Sequence, residues 1–422
     1  MTKKIVAVML VISAVILVSA QDSYAGNGTR MLGFSTRDSA MAGATTASSE
    51  DTSCLVRNPA GLVRIGNRVD VEYMNILPHD VSMRTEGQVV APNVISLSNR
   101  GLIQKSTVDY IPGGNAGISY RIPGTDKHPV AVGCGIFTMS GLAVDYPSAR
   151  LNMMATGVGG INNVYDRMIR LMSMRIAPGI AVAFTDKFSI GATGNIAIQG
   201  LKTDLARTDT YQETSGSGQW DFAPGAGFTV GALYKFNEML NLGASYESHG
   251  WIGYHHKYKD IALHSIDEPP IINVGLSFKP VKQFEFTYDT RYIHWTDVKV
   301  ARNGPVSDGF GWGDQWVFAV GGEYTTLKDK LKMRLGYNYG KSPIQAHVVF
   351  ANAILPVIME HHLTAGFSYL LMKDLSFDFT WEHHFMGVKS DNGAGDAFSM
   401  NGVGTKITGA ADILSVGLGY KF

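Results

Sequence analysis

The feature that most constrains this chain is an alternation with a period of two, repeated in segment after segment. In the last segment Leu414, Val416, Leu418, Tyr420 and Phe422 fall on one face, and Ser415, Gly417, Gly419 and Lys421 fall on the other. The same holds for Leu375, Phe377, Phe379 and Trp381 against Ser376, Asp378, Thr380 and Glu382. Leu331, Met333, Leu335, Tyr337 and Tyr339 likewise oppose Lys332, Arg334, Gly336 and Asn338, and Phe284, Phe286, Tyr288 and Tyr292 oppose Glu285, Thr287, Asp289 and Arg291. Side chains that switch faces at every residue belong to extended strands.

A soluble sandwich also alternates, with its greasy face inside. So many long strands would then need a very large apolar core, although their other face carries mostly Gly, Ser, Thr and charge. A transmembrane barrel accounts for both faces: the apolar one meets lipid and the small, polar one lines a lumen. We place strands near 68–78, 113–123, 129–141, 172–185, 187–203, 218–236, 238–251, 270–280, 282–296, 314–326, 329–340, 358–372, 374–388 and 410–422, about fourteen in all. The links alternate between short, as at Asp186, Asn237, Val281 and Lys373, and long, as at 79–112, 142–171 and 389–409. Short periplasmic turns and long extracellular loops are the two rims of such a barrel. The expected fold is therefore all-β, an antiparallel transmembrane barrel over 68–422.

The N-terminus agrees. Lys3 and Lys4 precede an apolar run from Ile5 to Val18, and Ser23-Tyr24-Ala25 follows. The run is shorter than the roughly 20 residues a bilayer core requires, so 1–25 is expected to be a secretory signal peptide, cleaved after Ala25 or Ala20. No comparable apolar stretch follows. Lys+Arg and Asp+Glu are both 36 in 422 residues; the zero net charge argues against a nucleic-acid partner. Cys54 and Cys134 are the two cysteines, too few for a disulfide framework. Cys134 shares parity with Val132 and Ile136, faces outward, and is not expected to reach Cys54.

Residues 26–67 do not alternate. They are rich in Gly, Ala, Ser and Thr, yet Leu55, Val56, Pro59, Leu62 and Val63 give them apolar groups to bury. We expect an N-terminal hatch, a plug inside the lumen; a free periplasmic tail is the alternative.

Ala40-Met41-Ala42-Gly43-Ala44 followed by Arg57-Asn58-Pro59-Ala60-Gly61-Leu62 resembles the hatch of the FadL/TodX family of outer-membrane transport proteins. Further similarity runs through Ala177-Pro178-Gly179, Gly321-Gly322-Glu323-Tyr324, Gly336 to Ile344 with its Gly-Lys-Ser-Pro, and Glu360-His361-His362. The resemblance implies a fourteen-stranded barrel with Asn58, Pro59 and Ala60 as the hatch motif. It also implies passive carriage of hydrophobic compounds, long-chain fatty acids or aromatic hydrocarbons, across a Gram-negative outer membrane. Lateral release through a kink in the third strand follows from the same likeness; there Gly133, Gly135 and Gly141 are the candidates, with lumen filling as their other reading. Implied partners are the small hydrophobic ligands, outer-membrane lipid and lipopolysaccharide, and the barrel-assembly machinery.

Three sets of residues could carry chemistry. The 142–171 link is apolar for a loop, and Leu151, Met153, Met154, Ile161, Tyr165 and Met168 are candidates for a ligand groove or for a lid packed on the rim. Arg175, Arg291 and Arg334 face the lumen by parity and are possible contacts for a carboxylate. Pairing across the turn at Lys373 sets His362 opposite His384 with Glu360 and Glu382 beside them, either lumen lining or the metal or acid–base site of a barrel hydrolase. No Gly-x-Ser-x-Gly or His-Glu-x-x-His motif accompanies them, so no catalytic residue, metal or other cofactor is expected. A general porin is the remaining rival.

Overall fold

The computed structural model describes residues 27–84, 103–147, 167–204, 216–261, 265–305, 309–395 and 403–422. The leader and the groove candidates Leu151, Met153, Met154, Ile161 and Tyr165 lie outside them.

Fourteen antiparallel strands close into one barrel. They are β1 Arg68–Arg84, β2 in two pieces (Ile103–Lys105 and Ile111–Arg121), β3 Val130–Tyr146, β4 in two pieces (Arg167–Ile176 and Gly179–Ala183), β5 Phe188–Thr203, β6 Asp221–Lys235 and β7 Leu240–Glu247, continued by Trp251–Ile252. Then follow β8 Ile271–Val281, β9 Phe284–Ile293, β10 Gln315–Thr326, β11 Leu331–Gly340, β12 His361–Met372, β13 Leu375–Ser390 and β14 Lys406–Lys421. Each pairs with its sequence neighbours, and β1 zips to β14 from Arg68↔Lys421 upward, so no edge is left to pair with another chain.

The expected faces are the observed ones. Leu418, Val416, Leu335, Tyr288 and Phe318 are exposed on the outside, whereas Arg175, Asp289, Arg291, Arg334 and Glu382 are buried within. Cys134 is exposed, Cys54 is buried, and both are free thiols.

The strands overrun the expected bounds at one end. β1 continues to Arg84, β3 to Tyr146, β4 begins at Arg167 and β14 at Lys406. In those extensions the inward residues Met83, Val144, Ile169, Leu171 and Ile407 are apolar and fully or almost fully buried in one cluster. Alternation persists there with its polarity reversed, apolar inward and Ser82, Arg84, Asp145, Arg170, Lys406 and Thr408 outward, so a search for greasy outward faces does not extend the strands. Met168 is accordingly no loop residue: it sits in β4 opposite Asp145, beside the lumen-facing Ile169 and Leu171.

The N-terminal segment fills the bore of the other half. Its helices α1 Thr36–Ala40, α2 Cys54–Arg57 and α3 Leu62–Ile65 are short; the first two are buried, and the third buries Leu62 and Ile65. Ser35 caps α1 by accepting from the Asp38 amide. Asp38 then takes hydrogen bonds from Phe34 N, Thr45 Oγ1 and the Arg57 guanidinium, tying the whole segment into one knot. Lumen-facing glycines make room for it. A Cβ on Gly243 would stand 2.1 Å from the Thr46 carbonyl oxygen, and one on Gly191 2.4 Å from the Pro59 carbonyl carbon.

Candidate functional site

The lumen is built in two layers. The lower one, around the plug, is ionic. Arg37 meets Glu50 at 3.1 Å, Glu285 at 3.4 Å and Glu323 at 3.6 Å, while Lys332 binds Glu50 and Glu323, and Arg334 binds Glu323 at 2.8 Å. A buried cation is tolerable only when paired in this way. At the short-turn end of the barrel this layer borders a cavity of about 360 Å³ lined by Arg64, Arg68, Asp70, Asp374 and Lys421 among others.

Asn58, Pro59 and Ala60 fasten the plug to the wall. Asn58 Nδ2 donates to the Thr46 carbonyl at 2.8 Å and to the Ala232 carbonyl of β6 at 3.1 Å. Its Oδ1 caps a 3-10 turn over Pro59–Gly61, in which Pro59 needs no amide partner. Ser189 of β5 and Ser245 of β7 donate to the Ala60 and Arg57 carbonyls.

The upper layer is apolar. The loop after β9, with its helix α4 Lys299–Arg302, folds into the bore and brings Trp295, Val298, Val300, Phe310 and Trp312 together with Leu355. Trp295 and Trp312 stand edge to face at 5.0 Å, and Phe310 stacks on Trp312 at 5.3 Å. Their polar edges are occupied: Trp295 donates to Gln315 and Trp312 to Asn352. A narrow cavity of about 30 Å³ lies between these rings and Leu171, Ile266, Ser140, Gln199, Arg30 and Glu268.

Between the layers sits a four-membered ion cluster. Arg30 reaches both oxygens of Glu247 at 2.8 Å. Arg175 bonds Glu247 at 2.8 Å and Glu268 at closer range, and Ser173 donates to Glu268 at 2.6 Å. Two cations and two anions leave no net charge. Of the proposed carboxylate contacts, Arg175 and Arg334 are therefore already engaged by internal carboxylates. Arg291 holds Asn273 Oδ1 at 2.8 Å and the Gly43 carbonyl at 3.3 Å, far down against the plug.

The wall is interrupted beside this chamber. The β2–β3 ladder runs from Arg121↔Ala131 to Ala116↔Ile136 and stops. Beyond it Thr138 and Asn115 bridge the strands by side chains, with Thr138 N donating to Asn115 Oδ1 at 2.9 Å and Thr138 Oγ1 to the Gly114 carbonyl at 2.9 Å. Backbone contact resumes only where Thr107 N reaches the Asp145 carbonyl. On the β4 side the register slips at Met139, between Thr138 and Ser140. Gly133 and Gly135 lie below, in regular register, facing Leu55 and Leu62 of the plug and the ring of Phe137. The irregularity thus falls between Gly135 and Gly141, on residues that are not glycine, because a side-chain-mediated break needs none. Met31 N of the plug bonds the Met139 carbonyl, and Arg30 bridges Ser140, so the plug's first residues seal the gap from within.

His362 and His384 do pair across β12–β13, with ring centroids 4.4 Å apart and edge to face. His384 contacts Glu382 at 3.3 Å, while His362 is fully buried. No nucleophile stands with them among the described contacts. Sequence reasoning missed Arg30, Glu247 and Glu268; the lumen parity of Glu247 was legible, its partners were not.

A profile of the outer membrane protein transport family (OMPP1/FadL/TodX) matches residues 15–422. Among solved structures, the Pseudomonas putida toluene transporter TodX superposes with a TM-score of 0.65 at 17% identity, covering 94% of this chain and 100% of that one. The Ralstonia pickettii toluene transporter TbuX gives 0.63 at 17%, covering 93% and 99%. A Pseudomonas aeruginosa FadL homologue gives 0.64 at 15%, covering 94% and 100%. At these identities the likeness bears on fold. No curated protein matches the sequence.

Proposed function

The chain belongs to the OMPP1/FadL/TodX family of outer-membrane transport proteins, a family of channels for hydrophobic compounds, and from that premise we propose that it carries small, neutral hydrophobic molecules, aromatic hydrocarbons before fatty acids. The observation that carries the proposal is the charge balance of the chamber. Its walls set Trp295, Phe310, Trp312 and Leu355 against a polar side that holds Glu268, and Arg30, the cation that lines it, is bound to Glu247. A fatty-acid carboxylate would meet Glu247, Glu268 and Asp267 together with that cation, whereas an arene needs only apolar surface. Burying roughly 200 Å² of it at about 25 cal/mol per Å² amounts to ~5 kcal/mol. Two of the structural relatives are toluene transporters.

In this reading a molecule enters from the extracellular side, where the groove candidates 151–168 lie in sequence, and settles among Trp295, Phe310 and Trp312, which part to widen the cavity of about 30 Å³ between them. Movement of Asn27–Phe34 off β3 then uncovers the gap between β2 and β3, through which the ligand leaves sideways into the bilayer. The flow is downhill and no catalysis is involved. The signal peptide through Ala25, the hatch over 26–67, and contacts with lipopolysaccharide and the assembly machinery belong to the same proposal.

Calorimetry on the detergent-folded barrel should show toluene binding more tightly than a long-chain fatty acid; the reverse order would overturn the ligand assignment. The exit is tested separately. A Cβ at Gly113 would lie 3.2 Å from Thr138 Oγ1, so Gly113→Cys with Thr138→Cys, in a Cys54→Ser, Cys134→Ser background, can staple the gap. Oxidation should stop uptake by cells, reduction should restore it, and binding should not change. Uptake that continues through the staple rules out lateral release at this place.

A further inference from the structure

On the outside of the barrel, three polar side chains break an otherwise greasy face. His79 on β1, Asp412 on β14 and His383 on β13 share the outward parity of Leu77, Leu414 and Trp381, in three adjacent strands across the seam where the barrel closes. His79 Nε2 lies 3.2 Å from Asp412 Oδ2, and His383 Nδ1 lies 2.9 Å from Asp412 Oδ1. One nitrogen from each ring and the carboxylate all lie within 4.8 Å of one another. A lipid-facing carboxylate is costly, more so toward the bilayer midplane, and here both its oxygens are met by imidazole nitrogens.

The surroundings favour a cation at their centre. The other nitrogen of His79, Nδ1, contacts Asp80 Oδ2 at 3.1 Å. In the neutral tautomer that this contact favours, the proton sits on Nδ1 and Nε2 presents a lone pair. The lone pair is buried, has no hydrogen-bond partner, and faces a carboxylate oxygen 3.2 Å away. Two lone pairs so opposed repel unless a positive charge lies between them. A carboxylate behind a ligating histidine is the usual outer support of a metal site, and Trp381 Nε1, donating to Asp412 Oδ1 at 2.8 Å, fixes the third ligand. Two imidazoles and one carboxylate suit late divalent transition metals rather than Mg²⁺ or Ca²⁺.

We propose that His79, His383 and Asp412 form a binding site for a divalent transition-metal ion on the lipid-facing surface, clamping β1, β14 and β13 together at the barrel's seam. The ion keeps at least one position open for water or an anionic oxygen from the membrane surface. Asp80 is a positioning residue that sets the tautomer of His79.

The test uses tag-free, metal-stripped, detergent-folded protein loaded with one equivalent of Cu²⁺. The electron paramagnetic resonance spectrum should show two equatorial imidazole nitrogens, falling to one in His79→Gln and in His383→Gln. Asp80→Asn should weaken affinity by at least roughly tenfold with the nitrogen count unchanged, and His384→Gln, inside the lumen, should change neither. In the wild-type protein, where folding of variants is not at issue, Zn²⁺ should protect His79 and His383 from diethyl pyrocarbonate, mapped by mass spectrometry. Absence of metal uptake at pH 7.5, which would mean that a proton alone fills the gap, overturns the proposal. A two-nitrogen spectrum that survives both substitutions, or labelling of His79 and His383 unaffected by Zn²⁺, does so equally.

Discussion

Replacing Asn58 by alanine should loosen the plug without dismantling the barrel. The amide is fully buried, donates to the Thr46 and Ala232 carbonyls and caps the turn that follows. Each donated bond contributes about 1 kcal/mol net, and the cap about another, so the substitution should cost ~3 kcal/mol. At about 1.4 kcal/mol per tenfold, the population of plug-open molecules rises roughly 150-fold. A built-in reporter lies one turn away, because Cys54 is buried in the plug and its carbonyl accepts from the Asn58 amide. Burial, and then the nearby carboxylates of Asp51 and Asp70, push the Cys54 thiol well above its ordinary pKa, so it reacts only when the plug opens. With the exposed Cys134 changed to Ser, the labelling rate with a water-soluble maleimide reads the opening equilibrium directly. The expected increase is on the order of a hundredfold, with heat-modifiability of the barrel on gels unchanged. Rates within about twofold of the parent would refute the claim that this amide holds the plug, since the predicted shift is far larger.

Gly243→Ala should destabilise the folded protein to urea by about 1–3 kcal/mol, because its Cβ meets the backbone oxygen of Thr46. Gly194→Ala, whose Cβ would meet nothing nearer than Pro178 at 4.0 Å, should stay within about 0.5 kcal/mol. Arg175→Met leaves Glu247 and Glu268 with Arg30 as the one cation of the cluster, 3.7 Å from Glu268, and should cost about 3–5 kcal/mol in the same assay, with part of the loss recovered by adding Glu268→Gln. His249, in the break within β7, joins Asp267 and Asp297 of two chamber loops at 3.1 and 2.6 Å. His249→Gln removes the bridge between these loops and should lower the thermal midpoint of the folded barrel; a midpoint equal to the parent's would show that the bridge contributes nothing.

The amino-acid sequence alone determined the class of fold, because lipid outside and a polar bore inside impose opposite demands on alternate residues. That rule is local, so Leu414 to Phe422 or Leu331 to Tyr339 announce their faces without reference to any partner. It also set the parity of Arg175, Arg291 and Arg334, and of His362 against His384. Where the rule fails, tertiary structure decided. The inward Val144, Ile169 and Leu171 hide the upper strands, because a greasy chamber with polar residues such as Asp145 and Arg170 outside reverses the polarity of the two faces. Which cation meets which carboxylate could not be read, since Arg30 and Glu247 are separated by 217 residues and meet only when the barrel closes around the plug. The gap between β2 and β3 has no marker of its own: it arises from Thr138 and Asn115 spending side chains where their neighbours spend backbone. His79, Asp412 and His383 are three unremarkable polar residues until the last strand docks against the first, because barrel closure sets that register.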